Sequence, residues 1–206
     1  MKHNENIDVS GHLEIYKVYE DGVEEQVFAD HNVITSGMGV GLGLLYSGSG
    51  AADITNFQIR YFKLGVKGDT VIDTYGIDQV DLVSALGQVE GISDYHTDVD
   101  SNLPIVTGYT MNYDGGAKST SQGSYNWFFG VIPDNSIKRV DLNSVTYIMY
   151  IERGSCNSHT LNEIGLYMKN PLGYATTRSN LVAYRPFTDI AKTDDFALVF
   201  KWTLNF

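Results

Sequence analysis

The stretch of sequence that decides the fold class is Phe196-Ala197-Leu198-Val199-Phe200-Lys201-Trp202-Thr203-Leu204-Asn205-Phe206. Its large apolar side chains occupy every second position from Phe196 to Phe206, and smaller or polar side chains lie between them. A period of two that is held over this length predicts a half-buried β-strand. We expect an edge strand here, and a long edge strand with one hydrophobic face invites aggregation unless another strand or subunit covers it.

A β-hairpin is predicted near the start of the chain. Residues 12–20 and 23–28 have the composition of strands, and Asp21-Gly22 between them supplies the two positive-φ positions of a type I′ turn. This turn sets a register in which Ile15 faces Phe28 and Tyr16 faces Val27.

Further strand signals follow at 55–66, 125–132, 140–152, 161–168 and 181–187, with a weaker one at 105–113. The alternating glycines of 36–50 leave a short helix and an irregular backbone equally open, because each interior glycine costs a helix about 1 kcal/mol. Residues 78–86 are compatible with one short helix. We therefore predict a mainly β protein, with one antiparallel, jelly-roll-like β-sandwich domain over 1–206, one or two short helices and a loop-rich insertion around 87–123.

The composition bounds the class of protein. The chain has 206 residues, of which 12% are aromatic, and a single cysteine, Cys156. This aromatic content argues against intrinsic disorder, and one cysteine excludes an internal disulfide. The first ten residues lack the apolar core of a signal peptide, and 33–52 is too rich in glycine for a membrane helix. We expect a chain that is made in the cytoplasm and has no membrane partner.

Charge is distributed unevenly along the chain. Residues 1–103 carry 17 acidic and 5 basic side chains, a net charge of −12, whereas 104–206 carry 8 and 9, a net charge of +1. An acidic half repels phosphate backbones, which argues against a nucleic-acid partner. The uneven charge either serves solubility or fits a partner with a basic surface.

Motifs for phosphate and zinc binding are incomplete. The glycines of 37–43 match neither of the phosphate-loop patterns, so a structural role is expected for them. Cys156 and His159 have the spacing of half a zinc site, but the chain has no second pair of ligands. We predict no metal site and no cofactor.

A calcium loop and a catalytic centre are not predicted either. Asp98 and Asp100 resemble the start of a calcium loop, but Leu103 and Tyr109 stand where such a loop needs glycine and glutamate. We expect a protein that is not an enzyme. A hydrolase with two paired carboxylates stays open as an alternative, because the sequence names no pair among its 25 acidic residues.

One acidic side chain stands within an apolar strand. Glu163 lies between Leu161 and Ile164, either pointing outward at the start of the strand or buried. In the buried case we expect a pair with an arginine such as Arg185, which would fix how two strands meet.

The order of several C-terminal motifs resembles that of tailed-bacteriophage virion proteins. These motifs are Leu161-Asn162-Glu163-Ile164-Gly165-Leu166, Leu181-Val182-Ala183-Tyr184-Arg185-Pro186-Phe187, Lys192-Thr193-Asp194-Asp195-Phe196 and Trp202-Thr203-Leu204-Asn205-Phe206. The stretch 11–37 is similar to the opening of such proteins, and the chain departs from their pattern at Tyr184, between Ala183 and Arg185.

The resemblance implies a non-enzymatic building block of the virion, present in many copies. Its partners would be other virion proteins and copies of itself, and a tail, neck or fibre adaptor is favoured over a head decoration protein. The candidate structural or interface residues are Glu163, Arg185, Phe196, Phe200, Trp202 and Phe206. The alternative function is a carbohydrate-binding module for host attachment, which predicts an exposed row of tyrosine or tryptophan side chains.

Overall fold

A computed structural model describes residues 9–47, 54–65, 132–154, 156–168 and 181–206, and the backbone of short strands at 96–97, 104–105, 112–114 and 127–131. The strands are β1 (Ser10–Tyr19), β2 (Glu24–His31), β3 (Val33–Ile34), β4 (Ile59–Gly65), β5 (His96–Thr97), β6 (Pro104–Ile105), β7 (Asn112–Asp114), β8 (Trp127–Val131), β9 (Ile137–Asp141), β10 (Ser144–Ile151), β11 (Thr160–Met168), β12 (Leu181–Ala191) and β13 (Phe196–Asn205). Helix α1 (Ser36–Tyr46) follows β3, and 3₁₀ turns cover Ile54–Phe57 and Asp134–Ser136.

Two antiparallel sheets pack against each other. The first has five strands in the order β2-β1-β13-β10-β9, and the second has six in the order β3-β12-β11-β4-β8-β7. Strands β5 and β6 form a separate antiparallel pair. The prediction of a mainly β, antiparallel sandwich with a short helix is confirmed, and its jelly-roll character stays a prediction.

Strand β13 is central in the five-stranded sheet. It pairs with β1 along Ser10–Tyr19 on one side and with β10 along Ser144–Ile151 on the other. The alternating burial that was predicted for this strand is confirmed, but the prediction of an edge strand is wrong. Its two edges are therefore covered by β1 and β10, and its hydrophobic face packs against the six-stranded sheet.

The hydrophobic core lies between the two sheets. The five-stranded sheet contributes Phe200 and Trp202, and the six-stranded sheet contributes Phe62 and Phe187, which are all fully or almost fully buried. The rings of Phe187 and Phe200 meet across the sheets with their centroids 6.0 Å apart. Burying one such side chain stabilises the fold by roughly 1.5–3 kcal/mol, so the alternating pattern of β13 accounts for much of the attraction between the layers.

The β1–β2 hairpin has a different turn from the predicted one. Residues 20–22 form a three-residue loop, in which the Gly22 N–H donates to the Tyr19 carbonyl at 3.0 Å. Of the turn residues only Gly22 has a positive φ, 83°, so the predicted type I′ turn is wrong. Ile15 faces Phe28 as predicted, but a β-bulge shifts the partner of Tyr16 to Gln26.

Helix α1 forms in spite of its four glycines. Its start is docked on β12 by Thr35, whose N–H donates to the Val182 carbonyl at 3.1 Å and whose hydroxyl donates to the Leu181 carbonyl. Gly41 is buried and faces Met168, so closely that a Cβ there would lie 2.3 Å from the methionine Sδ. The sequence is compatible with either a helix or an irregular backbone here, and contacts with β12 and Met168 stabilise the helix. None of the helices in the described residues is long and apolar enough to cross a membrane.

The run that was predicted as one strand over 140–152 is a hairpin of two strands. A turn at Leu142 and Asn143 joins β9 to β10. The Asp141 carboxylate accepts the Leu142 N–H at 2.7 Å, and the Arg139 guanidinium donates to the carbonyls of Asp141 and Leu142 at 3.1 and 2.8 Å. These side-chain bonds stabilise a turn in a segment whose apolar pattern predicts a continuous strand.

The strands predicted at 55–66, 125–132, 161–168 and 181–187 form with shifted ends. Of the weaker run predicted at 105–113, the structure describes only the parts that belong to β6 and β7. Strand β4 begins after a 3₁₀ turn, and β12 is longer than predicted. The possible helix at 78–86 and most of the insertion around 87–123 lie outside the described residues.

Candidate interaction surface

Exposed apolar side chains cluster where β9, β10 and the end of β13 meet. Val140 is 57% exposed, Leu142 is 85% exposed and Phe206 is 40% exposed. The Phe206 N–H donates to the Asn143 carbonyl at 2.8 Å, which places Phe206 beside the β9–β10 turn. Strand β9 also carries the exposed cations Lys138 and Arg139. We call the surface formed by Lys138, Arg139, Val140, Leu142 and Phe206 the β9 edge.

A pocket of about 300 Å³ opens beside the β9 edge, between the two layers. Its lining is mainly apolar and comes from both sheets, from α1 and from the 3₁₀ turn before β4. The lining residues are Met38, Leu42, Phe57, Gln58, Ile59, Arg60, Ile137, Tyr147, Met168 and Phe206. Because Phe206 and Ile137 belong to this lining, the pocket and the β9 edge form one continuous surface.

Three polar side chains, those of Gln58, Arg60 and Tyr147, line the pocket. The Tyr147 side chain is 6% exposed, and burial raises its pKa to about 12. The structure gives its hydroxyl no hydrogen bond to another described residue. Arg60 lies at the rim, where its guanidinium forms an ion pair with the exposed Asp134. The pocket therefore offers a mainly apolar wall with these three polar side chains.

The opposite edge of the same sheet is acidic. Glu24, Glu25 and Asp30 lie on β2, and no Lys or Arg lies on that strand. Glu24 is 4.0 Å from the Lys201 Nζ, and Glu25 accepts a hydrogen bond from the Tyr19 hydroxyl at 2.7 Å. We call Glu24, Glu25 and Asp30 the β2 edge.

The outer face of the five-stranded sheet carries two half-buried tyrosines. Tyr16 and Tyr150 flank Val199 in one row across the strands. The Lys201 Nζ lies 4.2 Å from the centroid of the Tyr16 ring, so a cation already occupies one face of that ring. Trp202, by contrast, is fully buried in the core.

Cys156 and Lys192 belong to a buried polar cluster that supports the loop 152–159. The Lys192 Nζ donates to the Arg153 carbonyl at 2.9 Å, the Asn157 Oδ1 at 3.0 Å and the Thr193 carbonyl at 2.6 Å. Burial lowers the pKa of Lys192 and raises that of the Cys156 thiol to about 12, so the thiol stays protonated at neutral pH. Among the described residues, no three His, Cys, Asp or Glu side chains are grouped to hold a metal ion.

Glu163 and Arg185, which the sequence suggests as a pair, contact different partners. Glu163 is fully buried on β11 and accepts a hydrogen bond from the Tyr184 hydroxyl at 2.8 Å. The Arg185 Nη2 lies 2.5 Å from the Asp30 Oδ2, and the guanidinium is 5.4 Å from the centroid of the Phe28 ring. Arg185 therefore ties β12 of one sheet to β2 of the other.

The aromatic candidates divide between the core and the surface. Phe196, Phe200 and Trp202 are buried in the core, where they hold the layers together. Phe206 is the member of this set that reaches the surface.

Sequence reasoning missed two residues of this surface and its pocket, Leu142 and Tyr147. The signal for Leu142 was its place between Asp141 and Asn143, two turn-forming residues, whereas Tyr147 follows the ordinary alternation of a strand and gives no such signal.

No protein-family model matches this chain. The comparisons with curated proteins and with solved structures gave no match either. The function is therefore inferred from the surfaces described above and from the resemblance of the C-terminal motifs.

Proposed function

We propose that the protein is a non-enzymatic structural component of a tailed-phage virion, acting as a tail, neck or fibre adaptor. The proposal places it in the virion, in contact with other virion proteins and with copies of itself. The observation that carries the proposal is the β9 edge, where an edge strand exposes Val140 and Leu142 next to Phe206 and an open apolar pocket.

An exposed edge of this kind favours a protein partner for a physical reason. An edge strand leaves one row of backbone N–H and C=O groups without a strand partner. Burial of exposed apolar side chains away from water lowers the free energy of the complex. Clustered apolar side chains on an exposed edge are typical of surfaces that bind another protein. The β9 edge combines both properties in one place.

The buried ionisable side chains described above have structural contacts. Lys192 binds three oxygen atoms around one loop, Glu163 accepts a bond from Tyr184, and Arg185 links the two sheets through Asp30. These contacts fit a rigid scaffold whose role lies on its surface.

The experiment compares virion incorporation of two matched variants. Leu142→Asp places a charge on the β9 edge, whereas Ile54→Asp places the same charge at another exposed apolar position, 71% exposed, in the 3₁₀ turn before β4. We expect particles assembled with Leu142→Asp to contain at least about tenfold less of the chain than those with Ile54→Asp. Thermal unfolding of both purified variants controls for folding. Equal incorporation of the two variants would contradict the role of the β9 edge.

Carbohydrate binding is the second candidate, because Tyr16 and Tyr150 lie in one row on the outer face of the five-stranded sheet. Tyrosine rings on a flat sheet are suited to stack against sugars. This function predicts that the wild-type chain binds a glycan on an array and that Tyr150→Ala loses the binding, while Tyr46→Ala on α1 retains it. Absence of binding to any glycan by the wild type would remove this candidate.

A further inference from the structure

We infer that the β9 edge of one copy binds the β2 edge of a second copy, head to tail, so that the five-stranded sheets of neighbouring copies form one continuous sheet. The inference rests on the proposed function and names the partner of its surface. It also supplies a basic partner for the acidic β2 edge from another copy of the same chain.

The topology places the two edges at opposite ends of one sheet. Strands β2 and β9 are the outermost strands in the order β2-β1-β13-β10-β9. All four pairings between them are antiparallel, so β2 and β9 run in the same direction. A second copy in the same orientation would therefore bring its β2 alongside β9 in a parallel arrangement, and the sheet would continue without inversion.

The charges of the two edges are complementary. The β2 edge carries the carboxylates of Glu24, Glu25 and Asp30. Asp30 is paired with Arg185 of the same chain, so Glu25 and Glu24, which is 56% exposed and 4.0 Å from the Lys201 Nζ, carry the charge that faces a partner. Strand β9 carries the exposed Lys138 and Arg139. Its one acid, Asp141, accepts a hydrogen bond from the Leu142 N–H at 2.7 Å. The acidic edge thus faces a basic edge across a head-to-tail contact.

The same charges disfavour the symmetric contacts. Two β2 edges would bring carboxylates together, and two β9 edges would bring Lys138 and Arg139 together, so like charges would oppose each other in both cases. The favoured contact is therefore heterologous, and such a contact repeats into a closed ring or an open filament.

Apolar side chains lie on both sides of this contact. Val140 and Leu142 are exposed on the β9 edge, and Val23, 55% exposed, precedes Glu24 at the start of β2. Burial of these side chains would add attraction to the charge complementarity, whereas the charges would determine which edge is chosen as the partner.

A charge-swap experiment tests the inference. The variants are Glu24→Lys on the β2 edge, Lys138→Glu on the β9 edge, and the chain that carries both changes. Lys138 is chosen rather than Arg139, because the Arg139 guanidinium binds the carbonyls of the β9–β10 turn. Self-association of the purified full chain is measured by sedimentation velocity in about 0.01 M and about 0.15 M salt, where charges are screened over roughly 30 and 8 Å.

We expect the wild type to self-associate, more strongly at low salt, and each single variant to associate at least about tenfold more weakly. The double variant, and an equimolar mixture of the two single variants, should regain association, since both restore opposite charges across the contact. A fold defect cannot produce this recovery. A monomeric wild type, single variants that associate like the wild type, or a mixture that fails to recover would each overturn the inference.

These outcomes are distinct from failure of the proposed function. If the wild type is monomeric but Leu142→Asp still reduces incorporation into particles, the β9 edge binds another virion protein and only the head-to-tail contact is refuted. If the chain is absent from particles, the proposed function itself fails, whatever the self-association shows.

Discussion

Tyr147 and Tyr184 are both buried tyrosines, but their hydroxyl groups are in different situations. Tyr184 donates to the Glu163 carboxylate at 2.8 Å, whereas Tyr147 lines the pocket and makes no hydrogen bond to another described residue. A hydroxyl at the wall of an open pocket can be hydrated, so its removal changes stability little, whereas a buried group with a protein partner is expensive to remove. The two residues therefore form a matched pair for mutation.

Replacement of each tyrosine by phenylalanine should change stability to different extents. We expect Tyr147→Phe to change the free energy of unfolding by no more than about 0.5 kcal/mol and Tyr184→Phe to lower it by about 2 kcal/mol. Urea denaturation of the two variants and the wild type measures both changes. A loss of stability in Tyr147→Phe comparable to that in Tyr184→Phe would show that the Tyr147 hydroxyl has a partner.

The Cys156 thiol makes stability depend on alkaline pH. Burial raises its pKa from 9.0 to about 12. Between these values the unfolded chain loses the thiol proton while the folded chain keeps it, so the folded state is favoured below pH 9 and this contribution is lost as the pH rises toward 12. One such proton changes the free energy of unfolding by at most about 1.4 kcal/mol per pH unit.

We expect the free energy of unfolding of Cys156→Ala to depend less steeply on pH above about pH 9 than that of the wild type. The charges of Cys156 and Lys192 influence each other's pKa, so the difference between the two curves reports the titration of this pair. Urea denaturation at several pH values up to about 11 measures the difference. Curves that stay parallel over this range would contradict the assigned shift.

At the scale of the element, Lys192 ties Arg153 and Asn157 to the segment before β13. Its three hydrogen bonds end on the Arg153 and Thr193 carbonyls and on the Asn157 side chain. Lys192 is 1% exposed, so removal of its ammonium group would break all three bonds and leave the partly buried acceptors without this donor.

We expect Lys192→Met to lower the free energy of unfolding by about 2–4 kcal/mol and to accelerate hydrogen exchange in the loop 152–159. Lys201→Met is the control, because Lys201 is on the half-exposed outer face and its distance to Glu24 is 4.0 Å. Its replacement should cost no more than about 1 kcal/mol. Equal effects of the two variants would refute the structural role of Lys192.

The glycines of α1 differ in what surrounds them. A Cβ at Gly39 or Gly43 would meet no atom within 4 Å, whereas one at Gly41 would lie 2.3 Å from the Met168 Sδ. We expect Gly39→Ala and Gly43→Ala each to stabilise the protein by about 1 kcal/mol, because alanine loses less conformational entropy in a helix. Gly41→Ala should give a smaller gain or a loss, since Met168 must move. Thermal unfolding of the three variants checks the order, and an equal gain in all three would contradict the packing of α1 on Met168.

Element type could be predicted where one period is uninterrupted. The alternation from Phe196 to Leu204 predicts β13 because every second side chain enters the core. The β9–β10 hairpin could not be predicted in this way, because the apolar Leu142 occupies the turn and the signal for the turn is carried by the Asp141 and Arg139 side chains. The bulge at Val27 was missed for a similar reason, since a two-residue turn was assumed.

At the scale of the whole molecule, the order of the strands could not be predicted from local patterns. Strand β13 becomes central because Ser10–Tyr19, from the other end of the chain, pairs along one side of it. The alternation of apolar and polar side chains shows which face of a strand is buried, but not which strands lie beside it. An edge strand and a central strand therefore have the same sequence pattern. The surface that we propose for assembly is therefore the β9 edge and not β13. Of the candidate residues that the sequence suggests, only Phe206 belongs to the β9 edge.

The five-stranded sheet carries opposite charges at its two edges. The β2 edge is acidic, and β9 carries Lys138 and Arg139 at the other end of the same layer. A molecule with opposite charges at opposite edges of a sheet is suited to repeat in one direction. This property links the composition of the chain to the building-block role that the C-terminal motifs suggest.

The most direct test of the proposed virion role is the copy number of the chain in purified tailed-phage particles. Quantitative mass spectrometry should find the chain at a fixed ratio to the other virion proteins, and the ratio should persist after the particles are washed. Absence from the particles, or an amount that falls with each wash while the chain stays in the soluble fraction, would contradict a structural role in the virion.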